Sequence, residues 1–390
     1  MPVVNRIAEF APDMTAWRQA LHRRPELGLD CHETAAFVVA RLRDFGVDEI
    51  HTGFAQSGVV AIITGQGAGP TIGLRADMDA LPILEDTGVP WASKTPGKMH
   101  ACGHDGHTTM LRGAARYLAE TRNFPGTVYV IFQPAEEGRA GGRVMVEEGL
   151  FRRFPMEMVF GMHNWPTLPE GTFAWRSGPI MAATSSIEIT ITGRGGHAAH
   201  PEKTIDPIVI AAQIVTAAQS IVARSVEPSD AGVISFGHIS GGHTHNVIPQ
   251  TVTLLGTARW FAPAVGDILE SRLRALVTGI AESFGATAEM KYERNYIATI
   301  NDPDATALTV AAAQAVAGDA RVVPMPKPTM GGEDFSFMLD AKQGSYIMLG
   351  GGRSGDDPMV HHPRYDFNDA ILPVGASYWV TLAERVLGGK

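Results

Sequence analysis

The sequence predicts an α/β fold: a domain with a mixed, largely parallel sheet flanked by helices, into which a ferredoxin-like α+β domain is inserted. Three observations predict it. Residues 127–132, 158–162 and 345–349 are apolar without alternation, the pattern of strands covered on both faces. Each run is followed by polar residues able to carry chemistry, Glu136-Glu137, His163-Asn164 and, beyond a glycine-rich loop, His361-His362; ligands of open α/β sheets bind along the C-terminal edge of the strands. The rhythm then changes at residues 186–192, where apolar and polar residues alternate, and a β-α-β-β-α-β order follows, which is the ferredoxin-like motif. The reading places the catalytic domain at 1–182 and 294–390 and the insert at 183–293.

Taken in order, Met14, Trp17, Ala20 and Leu21 recur at helical spacing until Pro25, and residues 33–45 repeat the pattern up to Gly46. Residues 59–63 and 71–75 read as paired strands around the turn at 65–69. That glycine-rich turn is no phosphate loop, because a strand and not a helix follows it. A helix is predicted from about Thr108 to Glu120, with Met110, Leu111, Ala114, Ala115 and Leu118 on its apolar side. In the insert, Asp206 and Pro207 supply the N-cap and first turn of a long helix, rich in Ile, Val and Ala and read as core and interface packing. Strands at 232–239 and 251–261, a helix at 265–284 and a strand at 288–293 complete it.

A length of 390 residues leaves room for two domains. The net charge of −9 argues against nucleic acid, whose phosphates need a basic face, and favours a small-molecule substrate. Two cysteines cannot build a disulfide framework, which suits a reducing compartment. Arg6, Glu9 and Asp13 interrupt any apolar leader, and no run approaches the ~18 apolar residues of a membrane span. No membrane partner and a cytoplasmic location are therefore expected.

The chemistry concentrates in residues 99–107, Met-His-Ala-Cys-Gly-His-Asp-Gly-His. If that stretch is extended, Cys102 and His104 point the same way, and thiolate and imidazole both suit zinc or a similar ion. Strand ends elsewhere supply Glu137, His163 and His362, with Glu136 adjacent. Five ligands exceed what one catalytic ion needs, and a bridging thiolate makes a two-metal centre the economical arrangement. Glu136 and Glu137 point apart in extended backbone, so one is left to handle a proton; of His361 and His362 only one should ligate. Ions that lower the pKa of water toward ~7, a carboxylate to take its proton and a Lewis acid at the carbonyl are the parts needed to hydrolyse an amide.

Residues 99–107, together with Pro134-Ala135-Glu136-Glu137-Gly138, Gly161-Met162-His163, Gly195-Gly196-His197-Ala198-Ala199-His200-Pro201, Asn246-Val247-Ile248-Pro249, Gly331-Gly332-Glu333-Asp334-Phe335 and His361-His362-Pro363, resemble the amidohydrolase branch of the aminoacylase and carboxypeptidase metallohydrolase superfamily. That branch includes hippurate hydrolases, N-acetyl-diaminopimelate deacylases and auxin-conjugate hydrolases. The resemblance implies Cys102, His104, Glu137, His163 and His362 as ligands of two divalent ions (Zn, Mn, Co or Ni) and Glu136 as general base. It further implies a homodimer, with a tetramer not excluded, formed through the insert, from which His197 reaches the partner's site to steady the oxyanion. Asn246 and Arg259 match positions that bind the substrate carboxylate. Where many members carry His-x-Asp this chain has Arg75-Ala76-Asp77; arginine stays protonated and cannot bind a metal, so Asp77 is expected to orient His104 instead. The function so implied is hydrolysis of N-acyl or N-aroyl L-amino acids. The rivals are an N-acetyl-diaminopimelate-type deacetylase, a small-dipeptide hydrolase, and a non-catalytic sensor of conjugates or metal, which would have no use for Glu136.

Overall fold

The computed structural model describes residues 3–389. The chain divides into two compact units: one built from the chain up to Ile180, Thr299–Pro328 and the chain from Asp334 onward, the other from Met181–Ala298 and Thr329–Glu333. The segment Thr329–Glu333 joins the second unit because the Ala182 N–H donates to the Gly331 carbonyl at 2.8 Å and Met181 bridges to Thr329.

The first unit is organised on a mixed sheet, in the spatial order Glu49–Phe54, Gly58–Thr64, Thr127–Gln133, Thr71–Asp77, Met158–Pro169, Gln343–Gly352, Phe173–Trp175, Val322–Pro324. The four central strands, Thr127–Gln133 to Gln343–Gly352, run parallel, and their apolar runs are buried, as their lack of alternation predicts. Helices Ala11–His22, His32–Asp44, His104–Thr121 and Leu372–Gly388 share one hydrophobic core with this sheet. His104–Thr121 packs on Leu372–Gly388 closely enough that a Cβ at Gly375 would stand 2.1 Å from the Met110 sulfur; any larger residue there requires the Met110 side chain to move.

The second unit has a four-stranded antiparallel sheet, Gly232–Ser240, Thr251–Trp260, Ala183–Thr192, Thr287–Tyr296, with helices Pro207–Ser225 and Pro263–Ser283 packed on it. This is the ferredoxin-like arrangement expected of the insert. The Asp206 side chain accepts from the Ile208 N–H at 2.8 Å, capping the first helix as its sequence indicates. Pro207–Ser225 is long and apolar enough, by length and composition, to cross a membrane. Its composition is explained by its seat, because Ile210, Ala211, Ile214, Ala218 and Ile221 form the stripe buried in this unit's core.

Candidate metal centre

Parallel neighbours end side by side, so residues just past their C-termini converge. Thr71–Asp77 delivers Asp77 and, two residues on, Asp79; Thr127–Gln133 delivers Glu136 and Glu137; Met158–Pro169 carries His163 and Asn164 within its length. Gln343–Gly352 leads into the loop bearing His361. Cys102 stands before Gly103, whose φ of 95° turns the chain into the helix His104–Thr121. That helix begins four residues earlier than the periodicity predicts. Cys102 and His104 therefore do not share a face of an extended segment; a left-handed glycine and the first helical turn bring them together instead.

Two other residues here adopt positive φ without being glycine, Ala135 at 61° and His361 at 69°. Such conformations cost on the order of 1 kcal/mol each and persist where surrounding structure enforces them. The first turns the chain into Glu136-Glu137. The second turns His361 toward Glu137, and its N–H donates to the Ala101 carbonyl at 2.7 Å, tying the loop to the Cys102 segment.

The side chains fall into overlapping groups whose ligand atoms lie within 4.8 Å of one another: Cys102, His104 and His163; Cys102, Glu137 and His361; His104, Glu136 and Glu137. Cys102, His104 and Glu137 each belong to two of them. Cys102 Sγ is 3.3 Å from His163 Nε2, and His361 Nε2 is 3.2 Å from Glu137 Oε1. The position expected of His362 is taken by His361. The loop is not extended at this point, and His362 Nδ1 accepts from the Arg364 N–H at 3.1 Å. His100, fully buried, joins none of these groups.

Hydrogen bonds decide which ligand atoms are available. His104 Nδ1 donates to the Asp79 carbonyl at 2.8 Å, leaving Nε2 buried without a hydrogen-bond partner among the described residues. His163 Nδ1 donates to the Asn164 carbonyl at 2.6 Å, which leaves Nε2 unprotonated and facing Cys102. Glu137 Oε1 is buried too, with His361 Nε2 at 3.2 Å. Buried polar atoms left unsatisfied are costly and rare. A thiol, imidazole nitrogens and a carboxylate oxygen converging in this way form a donor set suited to two divalent ions of the zinc type. Burial pushes the Cys102 thiol well up, Glu137 and Glu136 adding to it. Burial alone would lower His104, but the Asp77 and Asp79 carboxylates hold it up at about 10. Cation uptake must therefore displace protons.

Asp77 does something other than orient His104. Its Oδ1 accepts from His107 Nδ1 at 2.6 Å and its Oδ2 from Arg75 at 2.8 Å, while His104 Nε2 is 3.8 Å away. The buried Arg75 donates also to Gln133 at 2.8 Å and Asp334 at 2.9 Å, so its guanidinium ties its own strand to the end of Thr127–Gln133 and to the Asp334 loop. Burial would raise Asp77, but His104, His107 and Arg75 hold its carboxyl well below the usual range. Sequence reasoning missed three supporting residues. Asp79 accepts from the Glu136 and Glu137 N–H groups, each at 3.0 Å. Asn164 donates to the Cys102 carbonyl at 2.6 Å, and the Tyr365 hydroxyl donates to Asn164 Oδ1 at 2.6 Å. The Asp-x-Asp spacing of Asp77 and Asp79 and the adjacency of Asn164 to His163 were the available signals.

Beneath the ligand loop His22 is clamped, Nδ1 to Asp105 Oδ2 at 2.8 Å and Nε2 to Glu85 at 3.3 Å, while Arg18 pairs with Asp369 at 2.7 Å. Burial would lower His22, but Asp105 and Glu85 raise it to about 9. A folded-state pKa above the ordinary 6.5 contributes stability that is fully present below about pH 6.5 and is lost as pH rises through about 9. We expect urea unfolding to show His22→Gln destabilised most near pH 6, the gap to wild type closing by roughly 3 kcal/mol at pH 9.5. A gap that is constant or widens with pH would contradict the clamp.

In the second unit, Gly196–His197 pairs with Val247–Ile248, and the Ala198 N–H donates to the Asn246 carbonyl at 3.0 Å, so His197 and Asn246 stand together. His197 Nδ1 accepts from the Ala199 N–H at 3.1 Å. The neutral ring therefore carries its proton on Nε2. Arg259, on Thr251–Trp260, is half-buried and forms no ion pair among the described residues; burial lowers its pKa.

Residues 73–385 match the profile of peptidase family M20/M25/M40. The chain belongs to that family. The hippurate hydrolase of Campylobacter jejuni is 38% identical over 389 residues, 99% of this chain and 100% of its own. The IAA-amino acid hydrolase ILR1-like 2 of Arabidopsis thaliana is 38% identical over 402 residues, 100% and 90% of the two chains. Among solved structures, the Bacillus subtilis YXEP protein, a dinuclear metal binding peptidase from the M20 family, superposes with a TM-score of 0.82 at 34% identity, covering 98% of this chain and 99% of that one. This M20-family chain is a metal-dependent hydrolase of the amidohydrolase type, acting on amide-bonded small molecules.

Proposed function

We propose that the chain cleaves the amide of N-acyl or N-aroyl L-amino acids, releasing a carboxylic acid and a free amino acid. The observation that carries this reading is Glu136. It is buried within the ligand cluster, and its amide is fixed by a different Asp79 oxygen from that of Glu137, so the two glutamates are held separately, Glu136 for proton transfer and Glu137 for ligation. Cys102, His104, Glu137, His163 and His361 would hold the two ions, which when bound acidify water and polarise the amide carbonyl. Glu136 takes the proton from the attacking water and delivers it to the departing amine nitrogen. Asn246 and the unpaired Arg259 would take the substrate carboxylate, guanidinium being suited to a planar anion. The names of the hippurate and IAA-amino acid hydrolases support the substrate class.

The test is release of amino acid from acetyl, benzoyl and indoleacetyl conjugates by the metal-reconstituted protein. Turnover of the benzoyl or indoleacetyl conjugates supports the proposal. Turnover of acetyl conjugates alone would make the chain a deacetylase, and no turnover of any would leave a binding protein.

A cytoplasmic homodimer formed through the second unit is part of the proposal. The exposed apolar side chains Ile208, Val209, Ile239 and Val247 lie there, and Gly232–Ser240 is an unpaired sheet edge. His197, with its proton on Nε2, is suited to donate to the oxyanion of the partner's site. Mixing His197→Ala with Glu136→Ala protein is expected to restore about a quarter of wild-type activity, because one intact site forms in each heterodimer and heterodimers make up about half of a random mixture. No activity in a mixture shown to contain heterodimers would rule out catalysis across the interface.

A further inference from the structure

A cleft of about 660 Å³ opens beside the metal ligands in the first unit, with Glu137 and His361 among its lining residues. That volume is in the range of small-ligand sites. Leu27, Leu29, Leu81 and Pro82 give it an apolar wall, and Gln56 and Arg139 line it as well. Arg139 is exposed and forms no hydrogen bond or ion pair with any described residue. Its stem lies across Gly28, where a Cβ would stand 3.3 Å from Arg139 Cδ; with a φ of 59°, that position favours glycine on backbone grounds as well. Of the two acidic residues of the lining, Glu137 faces His361 at 3.2 Å, and Asp30, with an 84% exposed side chain, faces His32 at 3.5 Å. The guanidinium is thus available to a ligand, and it sits two residues from Glu137.

We propose that this cleft holds the acyl half of the substrate and that Arg139 selects acyl groups ending in a carboxylate, the half-amides of dicarboxylic acids. The inference rests on the hydrolase reading above. The carbon attacked carries the acyl chain on one side and the amine nitrogen on the other, so a cleft that begins at two of the ligands receives one half of the substrate. Asn246 and Arg259 are assigned to the amino-acid carboxylate, which leaves the acyl half for these walls. Methylene groups suit the leucine and proline surface, and a terminal carboxylate is the group a lone guanidinium binds best, through paired N–H···O bonds.

The test uses two substrates of equal length on one amino acid, N-hexanoyl and N-adipoyl, which differ in the terminal carboxylate. In Arg139→Met, which keeps the apolar stem, the adipoyl-to-hexanoyl ratio of kcat/KM is expected to fall about tenfold or more. In Arg139→Glu the preference should turn toward the 6-aminohexanoyl conjugate. A ratio in Arg139→Met equal to that of wild type overturns the proposal. Should the wild type hydrolyse no N-acyl amino acid, the hydrolase reading fails by itself, and calorimetry of adipate against hexanoate decides the cleft: adipate binding weakened by Arg139→Met supports it, and unaltered binding overturns it.

Discussion

Glu136→Gln is expected to lower turnover by about 10²- to 10⁴-fold while the protein keeps two ions per subunit. The amide has nearly the shape of the carboxylate and cannot accept a proton from water. Because Asp79 holds the backbone amides of both glutamates at 3.0 Å, the substitution leaves the path of the chain through Glu137 undisturbed. Steady-state kinetics beside elemental analysis of the same preparation check both halves. Retained turnover would reject Glu136 as the base, and lost metal would make it a ligand.

The second large effect separates two adjacent histidines. His361→Ala is expected to lose at least one ion per subunit and to lose turnover by more than about 100-fold, beyond the loss typical of residues that only support a ligand. His362→Ala, removing a ring whose Nδ1 serves the Arg364 amide, should keep both ions. Cys102→Ser should behave as His361→Ala does, since Cys102 is common to two of the ligand groups and a hydroxyl is a poor substitute for a bridging thiolate. Metal content by elemental analysis distinguishes these outcomes. The reverse order of the two histidine variants would return the ligand role to His362.

How much of this was legible in the sequence follows from what kind of signal each feature leaves. The central parallel strands announce themselves through unbroken apolar runs, because burial on both faces removes alternation, and the insert through the return of alternation at Ser186–Thr192. The residues at the strand ends were legible for the same reason, since the C-terminal edge of such a sheet is where a site forms. The errors share one cause. The choice between His361 and His362 and the geometry of Cys102 with His104 were argued from extended backbone, as was the parting of Glu136 from Glu137 that the proposal keeps, whereas the chain is in left-handed conformation at His361, Gly103 and Ala135. Two of those three are not glycine, so nothing local marks them. Strain of that sort is imposed by the surrounding fold and has no pattern of its own in the sequence. The misassignment of Asp77 is different in kind: it depends on Arg75, Gln133 and Asp334 meeting from separate strand ends and a loop, a long-range fact that spacing does not encode.

The proposed metal centre turns on a shared sulfur. Anomalous diffraction from crystals of the zinc-loaded protein should show two peaks per subunit, both within bonding distance of Cys102 Sγ, one also contacting His163 and the other His361, with the carboxylate of Glu136 bonded to neither. A single peak, or two peaks of which one lies away from Cys102, would contradict it.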